Sequence, residues 1–224
     1  DADQTPLWRA SFKGYVEVVR ALLEHGAKME NERHPPLTAA SSEGHLGVVK
    51  ALLKFGAKPD AFNRAGATGL MNACTSGHTR VVAALLKAGA DPDLVDANET
   101  SVAIGIAAQH GFTEIVRLLL RAGADPDGKP HKSARADWSV PLFAATCYNH
   151  TAIVRLLLKA GAHVFAANPA ALAALNFAVS VLPSPTMPIL RVLNSCPFNS
   201  APVETRVAKV FPANDTVAAD AAAV

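Results

Sequence analysis

The chain has 224 residues, with 21 lysines and arginines against 19 aspartates and glutamates, so its formal net charge of +2 does not favour nucleic acid or an anionic membrane. Half of the residues are hydrophobic, 44 of the 224 are alanine and only 6% are aromatic, a composition that favours closely packed helices. The three cysteines, Cys74, Cys147 and Cys196, form no CxxC motif, and their odd number argues against a disulfide framework.

A block of fixed length recurs five times, beginning at residue 7. Each block ends in a Gly-Ala pair, with a middle Gly or Asn twelve residues earlier and a leading Leu or Ile seven residues before that. The Gly-Ala pairs begin at Gly26, Gly56, Gly89, Gly123 and Gly161, and the middle residues are Gly14, Gly44, Gly77, Gly111 and Asn149. All variation in length lies between the blocks. Constant blocks joined by variable loops predict stacked helical units.

Two helices are predicted in each block. An alanine three residues after the leading aliphatic residue indicates a closely packed first helix. In the second helix, aliphatic residues stand four, five, eight and nine residues after the middle Gly or Asn, which gives one apolar face. Because one such pair cannot bury this face alone, we expect the units to stack along a shared apolar row. This row contains Leu22, Leu52, Leu85, Leu119 and Leu157.

The first block, from Thr5-Pro6-Leu7 through Ala10 and Gly14 to Gly26-Ala27, resembles the ankyrin repeat, and the four later blocks resemble it in the same register. The resemblance implies an all-α ankyrin-repeat solenoid of stacked helix-turn-helix units joined by β-hairpin loops. We expect the units at about 1–30, 31–62, 63–96, 97–130 and 131–165. Because unit four has Val102-Ala103-Ile104 where the family has Thr-Pro-Leu, its first helix is expected to start a residue or two away from the common register.

The remaining quarter of the chain, residues 166–224, departs from the period. Residues 166–196 resemble a degenerate sixth unit or C-terminal cap, in which Asn168 caps a helix begun by Pro169. The uncharged run 164–182 is long enough to test as a membrane span, but its polar residues and proline favour a buried soluble helix. Residues 197–224, rich in Ala, Pro and Val, predict a flexible tail or linker. The start at Asp1 without a leader indicates part of a longer chain.

The resemblance implies a non-enzymatic protein-protein interaction domain that binds a partner protein or peptide through its concave face and hairpin tips. Carried over by position, the variable surface pairs directly precede the middle Gly or Asn. They are Phe12 and Lys13, Ser42 and Glu43, Thr75 and Ser76, Gln109 and His110, and Cys147 and Tyr148. Because these ten side chains include aromatic, acidic, basic and hydroxyl types, packing does not constrain them. We therefore predict them as partner-binding residues.

The longest loop, 125–139, precedes unit five. It contains Lys132, Arg135 and Trp138, and a basic finger with an aromatic residue beside Tyr148 would suit an acidic peptide. The alternative is a solvated insertion in which Trp138 packs against the neighbouring hairpin. Trp8 and Phe12 are large apolar residues for an outermost unit. Either an upstream unit covers them, or they fold back on their own helix pair or bind the partner.

Sites for chemistry are weakly indicated. Cys74 with His78 and Cys147 with His150 fall short of the four ligands of structural zinc, and a nucleophilic pair of Cys147 and His110 has no oxyanion site beside it. No phosphate-binding glycine motif occurs. We therefore predict no enzyme activity, no metal and no cofactor.

A basic ladder runs through the last turns of four second helices, at Lys54, Lys87, Arg121 and Lys159, with Glu24 at the same position of unit one. These cations complement the helix dipoles, or they form a surface for nucleic acid or anionic lipid. The absence of interleaved aromatic residues argues against nucleic acid, which is not expected as a partner.

The predicted module is monomeric and intracellular, either cytoplasmic or nuclear, since its cysteines fit a reducing compartment. The alternative function is that of a regulatory or substrate-recruiting segment of a larger enzyme or membrane protein.

Overall fold

The computed structural model of the chain describes residues 5–29, 34–97, 101–128 and 141–162. These residues contain ten α-helices arranged as five consecutive pairs, which confirms the predicted helix-turn-helix units. The first helices are α1 (Pro6–Lys13), α3 (Pro36–Ser42), α5 (Gly69–Thr75), α7 (Ala103–His110) and α9 (Pro141–Cys147). The second helices are α2 (Val16–Glu24), α4 (Leu46–Lys54), α6 (Thr79–Lys87), α8 (Thr113–Arg121) and α10 (Thr151–Lys159).

The first helices all begin one residue before the leading aliphatic residue. Thr5 and Thr68 cap two of them, because their Oγ1 atoms accept hydrogen bonds from backbone N–H groups three residues later, at 3.1 and 3.3 Å. The expected shift in unit four is wrong, since α7 begins at Ala103 in the common register. There the preceding residue, Val102, is buried and forms a β-bridge with Val95, which fixes the chain without a capping side chain.

The turn between the two helices of a unit needs a left-handed residue. Gly44 has a φ of +76°, and Asn149 takes the same place in unit five with a φ of +57°. Asn tolerates this region better than other residues with a side chain. The substitution of Asn for Gly that the sequence predicted is therefore confirmed.

Burial follows the predicted apolar row. Leu52, Leu85, Leu119 and Leu157 are fully buried and belong to one continuous core, while Leu22 at the outer end of the row is only half-buried. The first helices approach one another through small residues, the buried alanines Ala10, Ala40, Ala73, Ala107 and Ala145. Each unit packs on the next through both of its helices. The array is therefore one solenoid with a shared apolar seam.

The connecting loops form short hairpins. Two isolated antiparallel bridges, Phe62 with Thr68 and Val95 with Val102, close the loops before units three and four. The N–H of Ala97 donates a 2.9 Å hydrogen bond to the carbonyl of Gly66, so these two neighbouring hairpins are joined directly. The hairpins therefore continue the stacking of the helices.

The outer face of unit one is exposed where the inner units are covered. Val18 is 49% exposed, although the same position in the other four units, Val48, Val81, Ile115 and Ile153, is at most 1% exposed. Tyr15, which precedes α2, is 58% exposed. In units two to five, the position of Val18 therefore packs against the preceding unit. In unit one, no described residue covers Val18.

Two buried hydroxyl groups allow a test of polar burial in α3. Ser41 Oγ is buried and has no hydrogen-bond partner among the described residues, whereas Thr38 Oγ1 donates a 2.8 Å bond to the carbonyl of Pro35. We expect Ser41→Ala to raise the free energy of unfolding by about 1 kcal/mol, because it removes a desolvated hydroxyl. Thr38→Val is expected to lower it by about 1 kcal/mol. Urea denaturation measures both changes, and a loss of stability in Ser41→Ala would contradict the prediction.

Other predictions lie outside the described residues. These are the degenerate sixth unit at 166–196, the tail at 197–224 and the uncharged run 164–182. None of the helices in the part of the chain that the structure describes is long and apolar enough to cross a membrane.

Candidate interaction surface

The ten predicted surface residues lie at the C-terminal ends of the first helices and in the turns that follow them. None of the ten is buried. Lys13, Glu43, Thr75, Ser76, His110 and Tyr148 are exposed, and Phe12, Ser42, Gln109 and Cys147 are partly exposed. The alanines one turn earlier in the same helices are buried. We refer to these ten residues as the paired row.

The paired row is continuous because the first helices lie side by side. α1 packs on α3, α3 on α5, α5 on α7 and α7 on α9, and the small alanine at each contact lets the backbones approach. Equivalent positions of successive helices therefore become neighbours across the surface. Residues that are about 30 to 40 apart in the sequence are brought into one band along the solenoid.

The aromatic members of the row are held in place by neighbouring rings. Phe12 stacks on Trp8 with ring centroids 5.3 Å apart, and Lys13 Nζ lies 5.7 Å from the centre of the Phe12 ring. Trp8 also meets His34 edge-on at 5.9 Å. Trp8 and Phe12 thus pack on each other, and Trp8 also contacts the approach to unit two.

Tyr148 and His110 are supported in the same way at the other end of the row. The Tyr148 ring stacks on His150 at 6.2 Å and remains 47% exposed. The His110 ring stacks on Phe112 at 5.8 Å, and its Nδ1–H donates to the carbonyl of Ile106 at 2.9 Å. These contacts orient the two rings while leaving them accessible to a partner.

Histidines after the middle residue tie the backbone of the row to the next unit. The Nε2–H groups of His45, His78 and His150 donate to the carbonyls of Phe12, Ser42 and Gln109, at 3.0, 2.9 and 3.1 Å. These carbonyls belong to the paired row itself, so its backbone is fixed from outside the helix. Unit four has Phe112 at this position, and the ring covers Gly77 of unit three without a hydrogen bond to it.

Hydrogen bonds to aspartates of the hairpins also join neighbouring units, and the repeat pattern did not predict them. The backbone N–H of Asp91 donates to Asp60 Oδ1 at 3.0 Å, and that of Asp125 donates to Asp93 Oδ1 at 2.9 Å. The Pro-Asp pair that recurs at Pro59, Pro92 and Pro126 in the sequence marks these positions. The hairpin edge is therefore ordered and acidic.

The two cysteines that the structure describes, Cys74 and Cys147, lie in environments that suppress their reactivity. Burial raises the pKa of the Cys74 thiol strongly, and partial burial raises that of Cys147. A raised pKa keeps the thiol protonated, which is the weaker nucleophile. Within the described ranges, no group of three or more His, Cys, Asp or Glu side chains is placed to hold a metal ion.

Three of the predicted binding residues lie outside the described residues. Lys132, Arg135 and Trp138 fall in the segment 129–140 of the longest loop. The structure describes this loop up to Gly128, which is left-handed with a φ of +70°, and the described part contains Asp125 and Asp127. The basic-finger hypothesis for this loop therefore stays a prediction.

Comparison with known proteins gives a consistent result. A family model for ankyrin repeats (3 copies) matches residues 1–63 and 70–168. Among solved structures, the human ASB11 ankyrin repeat domain is similar to this chain, with 30% sequence identity and a TM-score of 0.62. The match covers 71% of this chain and 71% of that one. No curated protein sequence matched the chain.

Proposed function

The chain belongs to the ankyrin repeat family, and from that premise we propose that it binds a partner protein or peptide across the paired row and the adjoining hairpin tips. Ankyrin repeats are generally protein-protein interaction modules and typically non-enzymatic. Within this proposal the chain supplies a rigid surface and no catalytic group.

The observation that carries the proposal is that none of the ten residues of the paired row is buried. Packing determines the alanines one turn away, which are buried and invariant in size across the five units. The paired row is free of this constraint, yet its aromatic side chains are held by stacked rings, and its backbone is fixed by histidine bonds to the carbonyls of Phe12 and Gln109. A surface that is variable in composition but fixed in geometry suits recognition, because little side-chain entropy is lost on binding.

The chemistry of the row favours an extended peptide or a protein loop with apolar groups at its ends and polar groups between them. Aromatic side chains stand at both ends of the row, at Phe12 and Tyr148, and hydroxyl groups and a carboxylate lie between them. Aromatic residues that are already oriented are the usual anchors of protein interfaces. Lys132, Arg135 and Trp138 would extend the surface beyond Tyr148, and their charges would favour an acidic part of the partner.

The test compares two exposed aromatic residues on different surfaces. Tyr148 in the row is 47% exposed and Phe55, at the end of α4, is 38% exposed, and each is replaced by Ala in the full chain. Proteins captured from native lysate are quantified by mass spectrometry for each variant. We expect Tyr148→Ala to lose about tenfold or more of the specific partner, which corresponds to about 1.4 kcal/mol, and Phe55→Ala to keep it.

Trp138→Ala tests the loop separately from the row. Loss of partner in this variant, with folding unchanged by circular dichroism, would support a role of the loop in binding. Equal recovery by wild type, Tyr148→Ala and Trp138→Ala would exclude the proposed surface. If Phe55→Ala and Tyr148→Ala both reduced the recovery of the partner by the same amount, the loss would be a general effect of removing exposed aromatic area.

We also propose an intracellular location, in the cytoplasm or the nucleus. Cys74 and Cys147 are free thiols in the structure, and free thiols are typical of a reducing compartment.

A further inference from the structure

The second helices of units two to five carry a large excess of positive charge. Their last-turn row contains Lys54, Lys87, Arg121 and Lys159, and a second row one or two turns earlier contains Lys50, Arg80, Arg117 and Arg155. The only carboxylate in these four helices is Glu114. We call these two rows the basic strip.

The basic strip is accessible and almost uncompensated. Seven of its eight side chains are exposed, and Arg117 is partly exposed. Arg117 Nε lies 3.2 Å from Glu114 Oε2, and it is the one member of the strip with a carboxylate partner among the described residues. Like charges stand four residues apart in the same helix at Lys50 and Lys54 and at Arg155 and Lys159. This arrangement mildly destabilises a helix.

Helix dipoles do not neutralise the strip. Each helix C-terminus is equivalent to roughly half a negative charge, so four of them offset about two of the positive charges. The strip carries an excess of seven positive charges over Glu114, and about five therefore remain. The last-turn row alone agrees with dipole complementation, but the second row lies too far from the helix ends to serve that purpose, because the dipole effect fades within one turn.

The geometry of the strip is that of a narrow line. Residues four apart on a helix are separated by about 6 Å along its axis. Packed helices lie about 8 to 10 Å apart, so four helices span about 24 to 30 Å. An extended polypeptide advances about 3.3 Å per residue, and about eight residues would cover this length.

The surroundings of the strip favour a narrow occupant. Asp60, Asp91 and Asp125 follow the ends of α4, α6 and α8 within four to six residues of the last cation. A membrane surface or a nucleic acid duplex would place negative charge over these aspartates as well, within the Debye length of about 8 to 10 Å. Single-stranded nucleic acid needs stacking platforms, and the four helices that carry the strip contain no aromatic residue.

We infer that the basic strip binds an extended acidic segment of a partner protein, about eight residues long and rich in Asp and Glu. This surface is formed by the second helices and is separate from the paired row, which is formed by the first helices. The chain therefore has two faces for protein recognition. The paired row recognises a partner by shape and aromatic anchors, and the basic strip recognises one by charge. Arginine adds bidentate bonds to carboxylates at Arg80, Arg121 and Arg155.

The experiment measures binding of the full chain to a fluorescent peptide of about eight glutamates, by anisotropy at about 50 mM salt. Lys50→Glu combined with Arg155→Glu reverses two charges of the strip. Lys28→Glu combined with Arg64→Glu is the matched control, because both residues are exposed, lie off the strip and change the net charge equally. We expect the strip variant to weaken binding about tenfold or more and the control by less than about twofold.

Three results would overturn the inference. One is the absence of binding by the wild-type chain, and another is an equal loss in the strip variant and its control, which would assign the effect to net charge. The third is displacement of the peptide by an oligonucleotide or by phosphatidylserine vesicles at lower anion concentration than by unlabelled peptide. Circular dichroism of each variant confirms folding. If the two surfaces are independent, the strip variant leaves the binding of a partner through the paired row unchanged.

Discussion

Replacing Val48 with Lys is expected to lower the free energy of unfolding by about 4 kcal/mol or more. Val48 is fully buried where α4 packs on α2, so an ammonium group there loses its water and gains no counterion. The same replacement at Val18 is expected to change stability by less than about 0.5 kcal/mol, because Val18 holds the same position in unit one and is 49% exposed.

Urea denaturation followed by circular dichroism measures both variants. The comparison is matched in residue type, helix position and change in charge, and only the presence of a preceding unit differs. An equal loss of stability in the two variants would show that Val18 is covered in solution, in contrast to the structure. A small loss at Val48 would show that units one and two do not share a core.

The second large effect is expected at Gly44. A Cβ atom added there would lie 2.6 Å from Nδ1 of His78, and the residue has a φ of +76°. Gly44→Ala therefore combines left-handed strain of about 1 to 2 kcal/mol with displacement of the His78 ring and loss of its bond to the Ser42 carbonyl, worth about 1 kcal/mol. We expect a total loss of about 2 to 4 kcal/mol.

Gly56 provides the control for this prediction. Its φ is +91°, but a Cβ atom there would meet nothing within 4 Å, so Gly56→Ala should show the backbone strain alone. The difference between the two variants in urea denaturation isolates the contact between units. If both variants lost the same stability, the His78 ring would be free to move aside, and its hydrogen bond would contribute nothing to stacking.

The fold was largely predictable because the sequence repeats itself. Two invariant intervals located the helices, and four of the five leucines of the apolar row are fully buried as expected, including Leu85 and Leu119. The partial exposure of Leu22 and Val18 could not be derived from the pattern, since the pattern is identical in every unit and does not show which side of a helix the preceding unit covers. The start of α7 was mispredicted because the bridge between Val95 and Val102 depends on pairing across a loop.

The interaction surface was predictable only in outline. Variation beside the middle Gly or Asn predicted the paired row as a surface that packing does not constrain, but the contacts that hold its rings and its backbone were not evident from that variation. The hydrogen bond from His45 to the Phe12 carbonyl joins residues 33 apart in sequence, and the stacking of Trp8 on Phe12 depends on rotamers. Such contacts follow from three-dimensional packing, and local periodicity carries no information about them.

Phe112 interrupts the series of histidine bonds at one junction of the solenoid. The junctions of units one with two, two with three, and four with five each contain a directional bond from a histidine, whereas units three and four meet at this position through a phenylalanine ring over Gly77. Apolar contact is non-directional and tolerates small rotations that a hydrogen bond resists. The directional bonds between units three and four therefore lie in the hairpins, from the N–H of Ala97 to the Gly66 carbonyl and from the N–H of Asp125 to Asp93 Oδ1. Among the described residues, this junction consequently depends on its hairpin edge for resistance to rotation, whereas each of the other three has a histidine bond beside the turn between its helices.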